Sequence, residues 1–376
     1  MKKPADPYST LNIRHATFVI PLVAGIGNAL MTEPMIRQLR TNLPEARLVV
    51  MAISQPIGEV MRRVDRVEVI VTGSGIKNLL SGVRTTRALS PDIYLVPFPS
   101  NRWQYNALAR ASGAPRVLVH GYPMSRLRAM SFLIGDRVPA ERGIHDVVQN
   151  LRLLPKLGIT PDYTMAPQFV LRDDDRAQAA DLLQQTGITE PFIVIHAGSA
   201  QTILAEAKRW PTDQYARLVE NLRDETGLSI LIVEGPDEVG VAQSILGKIS
   251  DLSHIHSITL RGNLGVAGAM LERSAFYVGT DSGLAHLAAA VGKRAVTLFA
   301  PADPDRVCPF GNRDLVVQPA GLRELAFLYP LEATRPKMRP GMLDQIKQIT
   351  VEQVMEKVRL VSSSHIRTPR EVKAPA

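Results

Sequence analysis

Between residues 16 and 120, short apolar runs alternate with stretches whose apolar residues recur every three or four positions. The runs at 16–23, 47–51, 67–71, 92–96 and 116–120 are nearly continuous in Val, Ile and Leu, as strands buried inside a parallel sheet are. Helical spacing fills the segments between them, at 28–41, 55–63, 76–89 and 101–111. Strand and helix in strict turn predict βαβ units, hence an α/β, doubly wound sheet. The rhythm breaks over 121–142, resumes as a helix over 145–157, and gives way at 158–169 to a proline-bearing linker.

The pattern then starts again. Strands are expected at 192–196, 229–233, 275–279 and 295–299, with helices at 212–225, 236–249, 265–273 and 282–291. The chain thereby divides into tandem α/β domains, 1–160 and 161–340. Residues 341–376 follow as a C-terminal return helix, over 351–360, and a flexible tail. Thr350 with Gln353 three residues on is the spacing of a capping box.

Composition narrows the class. A chain of 376 residues with 45% hydrophobic and 21% charged positions fits two or three domains with cores of their own. One cysteine, Cys308, excludes an intramolecular disulfide framework and a cysteine-built zinc site. No apolar run reaches the ~20 residues that span a bilayer. Lys2, Lys3 and Arg14 before the apolar run 18–26 mimic a signal peptide. The run passes into an amphipathic pattern with Glu33, Arg37 and Arg40, so a strand, loop and helix in a cytoplasmic protein are expected instead.

The net charge of +8 is spread along the chain without aromatic interleaving, which argues against nucleic acid. An anionic membrane surface or an acidic small molecule remains. The densest basic stretches are 102–142 and 335–373.

Ligands of open α/β sheets bind beyond the carboxyl ends of strands, so the loops that follow strands are the informative ones. Ala24-Gly-Ile-Gly-Asn28 follows the first strand and opens a helix; Gly25 and Gly27 suit either a tight turn or the close approach of a ligand. Leu30 replaces the third glycine of a dinucleotide fingerprint, and no acidic residue ends the second strand, so a nicotinamide cofactor is not expected.

His196-Ala-Gly-Ser199 follows the restart strand, and Ala207-Lys-Arg-Trp-Pro211 closes its loop; Lys208 and Arg209 suit phosphate charge. In Gly279-Thr-Asp-Ser-Gly-Leu-Ala-His286, Asp281 and Ser282 stand where an N-cap belongs. Amides at Ser282 and Gly283 would make an anion site with His286 one turn inside, although His286 also fits as a satisfied core histidine. Gly235-Pro-Asp-Glu238 places a carboxylate for ribose hydroxyls or for a helix's first turn.

In this order, the loops resemble glycosyltransferase family 9, the lipopolysaccharide heptosyltransferase family. The resemblance implies a GT-B architecture, two facing Rossmann-like domains with a cleft between them. It also implies inverting, metal-independent transfer of a sugar, heptose among the candidates, from a nucleotide-diphosphate donor such as ADP-heptose. The acceptor would be a lipopolysaccharide-core or other envelope glycan at the inner membrane surface, and no cofactor beyond the donor is implied. On the donor side stand Ser199, Lys208, Arg209, Glu238, Asp281, Ser282, Gly283 and His286. Lys208 would meet leaving-group charge, Glu238 the ribose, Asp281 the sugar and His286 the phosphates. Gly25, Gly27 and Asn28 would face the acceptor.

Asn28 departs from the family, which often carries an acidic general base there. An amide takes up no proton at neutral pH. Glu33, the nearest carboxylate, lies about 140° around the helix. Two other readings use the same loops: a sugar-nucleotide epimerase, which needs no acceptor, and a non-catalytic nucleotide-sugar binder. The arginines at 126, 128, 137 and 142 are candidates for a phosphorylated glycolipid.

Overall fold

The computed structural model describes residues 11–73, 76–100, 103–122, 126–198, 207–320, 341 and 344–365. Two six-stranded sheets form, and every strand pairing in them is parallel. The first holds β1 (Thr17–Leu22), β2 (Arg47–Ala52), β3 (Val67–Val71), β4 (Ile93–Leu95), β5 (Arg116–Gly121) and β6 (Asp136–Pro139) in the order β3-β2-β1-β4-β5-β6. The second holds β7 (Phe192–His196), β8 (Ser229–Glu234), β9 (Ile255–Thr259), β10 (Tyr277–Thr280), β11 (Ala295–Leu298) and β12 (Val316–Val317), in the order β12-β11-β10-β7-β8-β9. Each half begins at its centre, builds outward on one side and crosses to the other, the doubly wound order that leaves a crevice beside its first strand.

Helices cover the sheets. In the first half these are α1 (Ile26–Asn42), α2 (Gln55–Met61), α3 (Ile76–Ala88), α4 (Trp103–Ala111), α5 (Arg126–Ala129) and α6 (Asp146–Leu151). After them come α7 (Asp173–Thr186), α8 (Thr212–Thr226), α9 (Val241–Leu246), α10 (Leu264–Arg273), α11 (Gly283–Ala290), α12 (Pro304–Val307) and α13 (Val351–His365). Helix α8 illustrates the cause: Tyr215, Ala216, Leu218, Val219 and Leu222 fall on one face and are buried, and Gly227 ends the helix at φ +65°.

The capping box at Thr350 is formed, its amide reaching Gln353 Oε1 at 2.8 Å while Gln353 N–H returns to Thr350 Oγ1 at 3.3 Å. Helix α13 then packs on α8, β11 and β12, closing the second half. Trp210, singled out beside two cations, is a core residue; its indole N–H donates to the Ile349 carbonyl at 2.9 Å and its ring meets Tyr215 edge-on.

The sequence pattern passed over β6, β9, β12 and α7. The three strands are sheet edges: β6 and β9 are covered on only part of their length, so the apolar run dissolves into sequences such as Asp-Arg-Val-Pro, and β12 is buried but only two residues long. Helix α7 opens on three consecutive aspartates, which suit its N-terminus but hide its apolar stripe.

The two halves are tied together closely. Asp146 and Arg306, both buried, form a bidentate pair at 2.9 and 3.0 Å. Arg63 of the first half binds Asp175 of α7. The linker lies strapped along α1: Gln38 exchanges hydrogen bonds with the backbone of Asp162 at 2.8 and 2.9 Å, and Arg37 donates to the Ala166 carbonyl at 2.6 Å.

Candidate functional site

Both crevices carry the loops predicted to matter. In the first half, the segment after β1 and the segment after β4 enclose a pocket of about 320 Å³ lined by Pro21, Ala24, Asn28, Thr32, Phe98 and Tyr105, among others. Asn150 shapes it from behind, accepting the Phe98 amide at 2.8 Å and donating to Thr32 Oγ1 at 3.4 Å. Arg306 of the second half sits 5.5 Å above the Phe98 ring. A larger apolar pocket of about 600 Å³ shares Pro21 and Val23 with this one and runs beneath α3.

Gly27 acts by clearance, whereas a Cβ on Gly25 would meet nothing within 4 Å. Gly25 has φ −69°, and Gly27 lies within α1, so neither needs the left-handed conformation that a tight turn would demand. A Cβ on Gly27 would lie 2.7 Å from His286 Cδ2, so only glycine lets α1 approach α11 this closely. A Cβ on Gly283 would likewise stand 3.1 Å from Ile26 Cβ.

In the second half, the segments after β8 and β10 converge on His196 at the end of β7. This residue was not singled out for a role from the sequence, although it opens a noted loop. Its Nε2 lies 2.9 Å from Glu238 Oε2, and its Nδ1 lies 3.2 Å from Ser282 Oγ and 3.3 Å from Tyr277 Oη. Burial works to raise the Glu238 pKa, yet the hydrogen bond and charge of His196 and the Gly235 amide hold it below the ordinary carboxylate value. An ionised Glu238 only accepts, so Nε2–H donates to it, while Nδ1 meets the Ser282 and Tyr277 hydroxyls.

Ser282 is therefore turned toward His196. It makes no side-chain cap on α11, and the amides at that helix end have no side chain from it to satisfy them. Gly198 has no room for a Cβ, which would fall 2.1 Å from the Glu238 carboxyl carbon. That carboxylate thus lies directly against the turn that follows β7.

Lys208 reaches the same corner. Its Nζ is 2.5 Å from Asp281 Oδ2 and 3.5 Å from the Asp281 carbonyl, and its side chain is 24% exposed where Asp281 is 6%. Asp281 Oδ1 faces His286 Nε2 at 4.0 Å. Arg209 is exposed and its charge acts on Glu238. Ser199 lies outside the described residues, as do the side chains of Arg126 and Arg128.

The structure thus brings Lys208, Asp281, Ser282, Gly283 and His286 into one corner, with Glu238 reached through His196, and sets them across from Gly27 and Asn28. A cation and free helix amides facing an uncharged pocket suit a ligand that carries an anion at one end and hydroxyls at the other. Cys308 is no nucleophile here, since burial pushes its thiol up to about 12. Among the described residues, no three His, Cys, Asp or Glu side chains gather as a metal-ligand set.

Comparison with known proteins agrees with this geometry. Lipopolysaccharide heptosyltransferase 3 of Escherichia coli strain K12 is 25% identical over 289 residues, covering 74% of this chain and 80% of that protein. Among solved structures, a glycosyl transferase family 9 protein of Veillonella parvula superposes with a TM-score of 0.73 at 19% identity, covering 94% of this chain and 99% of the other. The ADP-heptose lipopolysaccharide heptosyltransferase II of Escherichia coli gives 0.70 at 19% identity, covering 93% and 100%. The sequence profile of glycosyltransferase family 9 (heptosyltransferase) matches residues 101–324, more than half of the chain. With two doubly wound sheets facing across this cleft, the chain belongs to glycosyltransferase family 9 and has the GT-B fold of enzymes that transfer a glycosyl unit from a nucleotide sugar.

Proposed function

We propose that the protein transfers a heptosyl unit from ADP-heptose, with inversion and without a metal, to a lipopolysaccharide-core or other envelope glycan. The carrying observation is the corner where Lys208 and the uncapped end of α11 face the Asn28 pocket across the interdomain contact. Support for the donor comes from relatives named as heptosyltransferases, and from an Escherichia coli heptosyltransferase solved with ADP that superposes at a TM-score of 0.66.

In this reading the diphosphate lies against Lys208 and the amides of Ser282 and Gly283. Glu238, held by His196, meets the ribose, and Asp281 meets sugar hydroxyls. Leaving-group charge develops on the diphosphate as the anomeric bond breaks, and a fixed cation with aligned amides stabilises it without reorganisation. The acceptor enters from the Asn28 pocket on the opposite side, which favours one in-line displacement and so inversion.

A screen of nucleotide sugars by melting temperature tests the donor. ADP-linked heptose at about 100 times its Kd is expected to add roughly 2.7 kcal/mol of stability, and no shift with any nucleotide sugar would sink the proposal.

The first half also presents a surface suited to the cytoplasmic face of the inner membrane. Trp103 is 52% exposed and Leu127 84%, with Phe132 and Leu133 exposed on the adjoining turn. Arg110 and Arg137 are exposed on the same elements and their neighbours. Helix α4 carries Trp103 outward and Tyr105 into the Asn28 pocket, so a docked surface would lie beside the acceptor's entry. Vesicles containing anionic lipid are expected to bind the wild-type protein, and Trp103→Ala with Leu127→Ser to lose about tenfold in affinity per residue while ADP binding stays unchanged. Equal vesicle binding by wild type and variant would refute the surface.

A further inference from the structure

Glycosyl transfer to a hydroxyl releases one proton, and a group in the cleft has to take it. Asn28 offers no basic atom there. Glu33 is turned away: it is 2% exposed, held by Arg37 at 2.6 Å and by the Gln168 amide at 2.9 Å, and spent on fastening the linker to α1. The other titratable groups of the corner are also committed. Asp281 is held by Lys208, and Glu238 by His196 and the Gly235 amide. His145 makes Nε2 contact with the Cys308 carbonyl at 2.8 Å, while its Nδ1 accepts the Val147 amide at 3.2 Å.

His286 is different. Its side chain is 7% exposed, yet neither ring nitrogen makes a hydrogen bond with any described residue. The ring lies against the backbone of Gly27, one residue from Asn28, where the donor-side and acceptor-side halves meet. Among the described residues, the ring's one polar neighbour is the Asp281 carboxylate at 4.0 Å, so at the junction of two substrate-facing loops both of its nitrogens stay without a hydrogen bond.

We infer that His286 is the general base of this enzyme, the catalytic residue that takes the proton of the acceptor hydroxyl. The inference rests on the transfer reading above. In the step, the acceptor O–H bond breaks and its proton passes to the neutral imidazole. The oxygen's electron pair forms the bond to the anomeric carbon. The bond from that carbon to the diphosphate oxygen breaks, and its pair leaves on the nucleoside diphosphate opposite Lys208. The imidazolium then faces the Asp281 carboxylate at 4.0 Å.

The electrostatics suit the role. Burial lowers the His286 pKa to about 4; Asp281 works against that, while His145 and Lys208 work with it. The free enzyme therefore holds a neutral ring at neutral pH, but a weak base. A bound diphosphate brings negative charge into the same corner and favours the imidazolium, so the pKa rises once the donor is in place. For a group that must be unprotonated, activity is lost as pH falls through its pKa. The acid limb of kcat is thus expected at higher pH than that of kcat/KM for the donor.

The test compares the wild-type enzyme with His286→Gln, and both with Asn28→Asp added, using ADP calorimetry and pH profiles of transfer. His286→Gln is expected to bind ADP within about threefold of wild type, lose about 10²–10⁴-fold in kcat and lose the acid limb. Asn28→Asp in that background is expected to restore at least tenfold, with a new limb in the carboxylate range. Turnover of His286→Gln within threefold of wild type, or an unaltered limb, overturns the base assignment alone. Should the variant fold poorly, the wild-type profiles still decide, since a kcat limb at or below that of kcat/KM overturns it too. No transfer by wild type from any nucleotide sugar, with ADP still bound, overturns the transfer reading and this inference with it.

Discussion

Lys208→Ala is expected to lower kcat by about 10²–10³-fold, the cost of removing one fixed donor aimed at developing oxyanion charge. The argument runs through geometry. Lys208 closes the loop after β7, and its Nζ is pinned 2.5 Å from Asp281, so its position is set before any ligand arrives. Its partial exposure leaves the ammonium open to the cleft, while the carboxylate partner lies behind it. Charge on the leaving diphosphate grows as the anomeric bond breaks, so the loss falls mainly on the transition state and ADP affinity should drop by less than kcat does. Lys208→Arg is expected to recover part of the rate, because charge returns in a wider fork with different reach. Transfer by Lys208→Ala within threefold of wild type would remove the residue from the mechanism.

The second large effect concerns the clasp between the halves. Arg306→Ala or Asp146→Ala is expected to cost about 3–5 kcal/mol of stability, since either leaves a buried charge without its partner. Both side chains are buried, the bond is bidentate, and burial raises the Asp146 pKa against the pull of Arg306. The pair is thus held at a desolvation cost, and replacing both members with apolar residues, as in Asp146→Leu with Arg306→Met, is expected to harm stability less than either single change. Arg306 also caps the Phe98 wall of the Asn28 pocket, so Arg306→Ala should raise the acceptor KM while leaving ADP affinity unchanged. Denaturant melts of the wild type, the two single variants and the double variant compare them directly. A loss below about 1 kcal/mol in each single variant would mean that the clasp is open in solution.

Where sequence reading succeeded and where it failed follow one cause. Interior strands such as β1, β2, β7 and β8 are covered on both sides, so each position answers to the same apolar demand and the run is legible. The edge strands β6 and β9 answer to solvent on part of their length and β12 has only two residues, so their signal fades, whereas the edge strand β3 keeps a legible Val/Ile run. The site divides in the same way. Lys208, Asp281, Ser282 and Glu238 were singled out because a strand end followed by small or charged residues is a local pattern, and the structure places them close together. His196 was passed over for a role because its partners Glu238 and Ser282 lie 42 and 86 residues away. Glu33 offered a carboxylate near Asn28 on paper, but its partners on the linker, unreadable from spacing, take it out of the cleft.

Local chemistry in the chain therefore determined that there are two doubly wound halves, which loops end their strands, and that an amide stands at position 28. Periodicity and turn residues act over a few positions, and these features depend on nothing farther. The tertiary structure decided what the loops do to one another. Only when the halves meet does Gly27 become the position that admits His286, Ser282 turn from capping its helix to hold His196, and Arg306 close over Phe98. Those are distances across the cleft, set by how two sheets with the same strand order are brought face to face, and no stretch of sequence carries them.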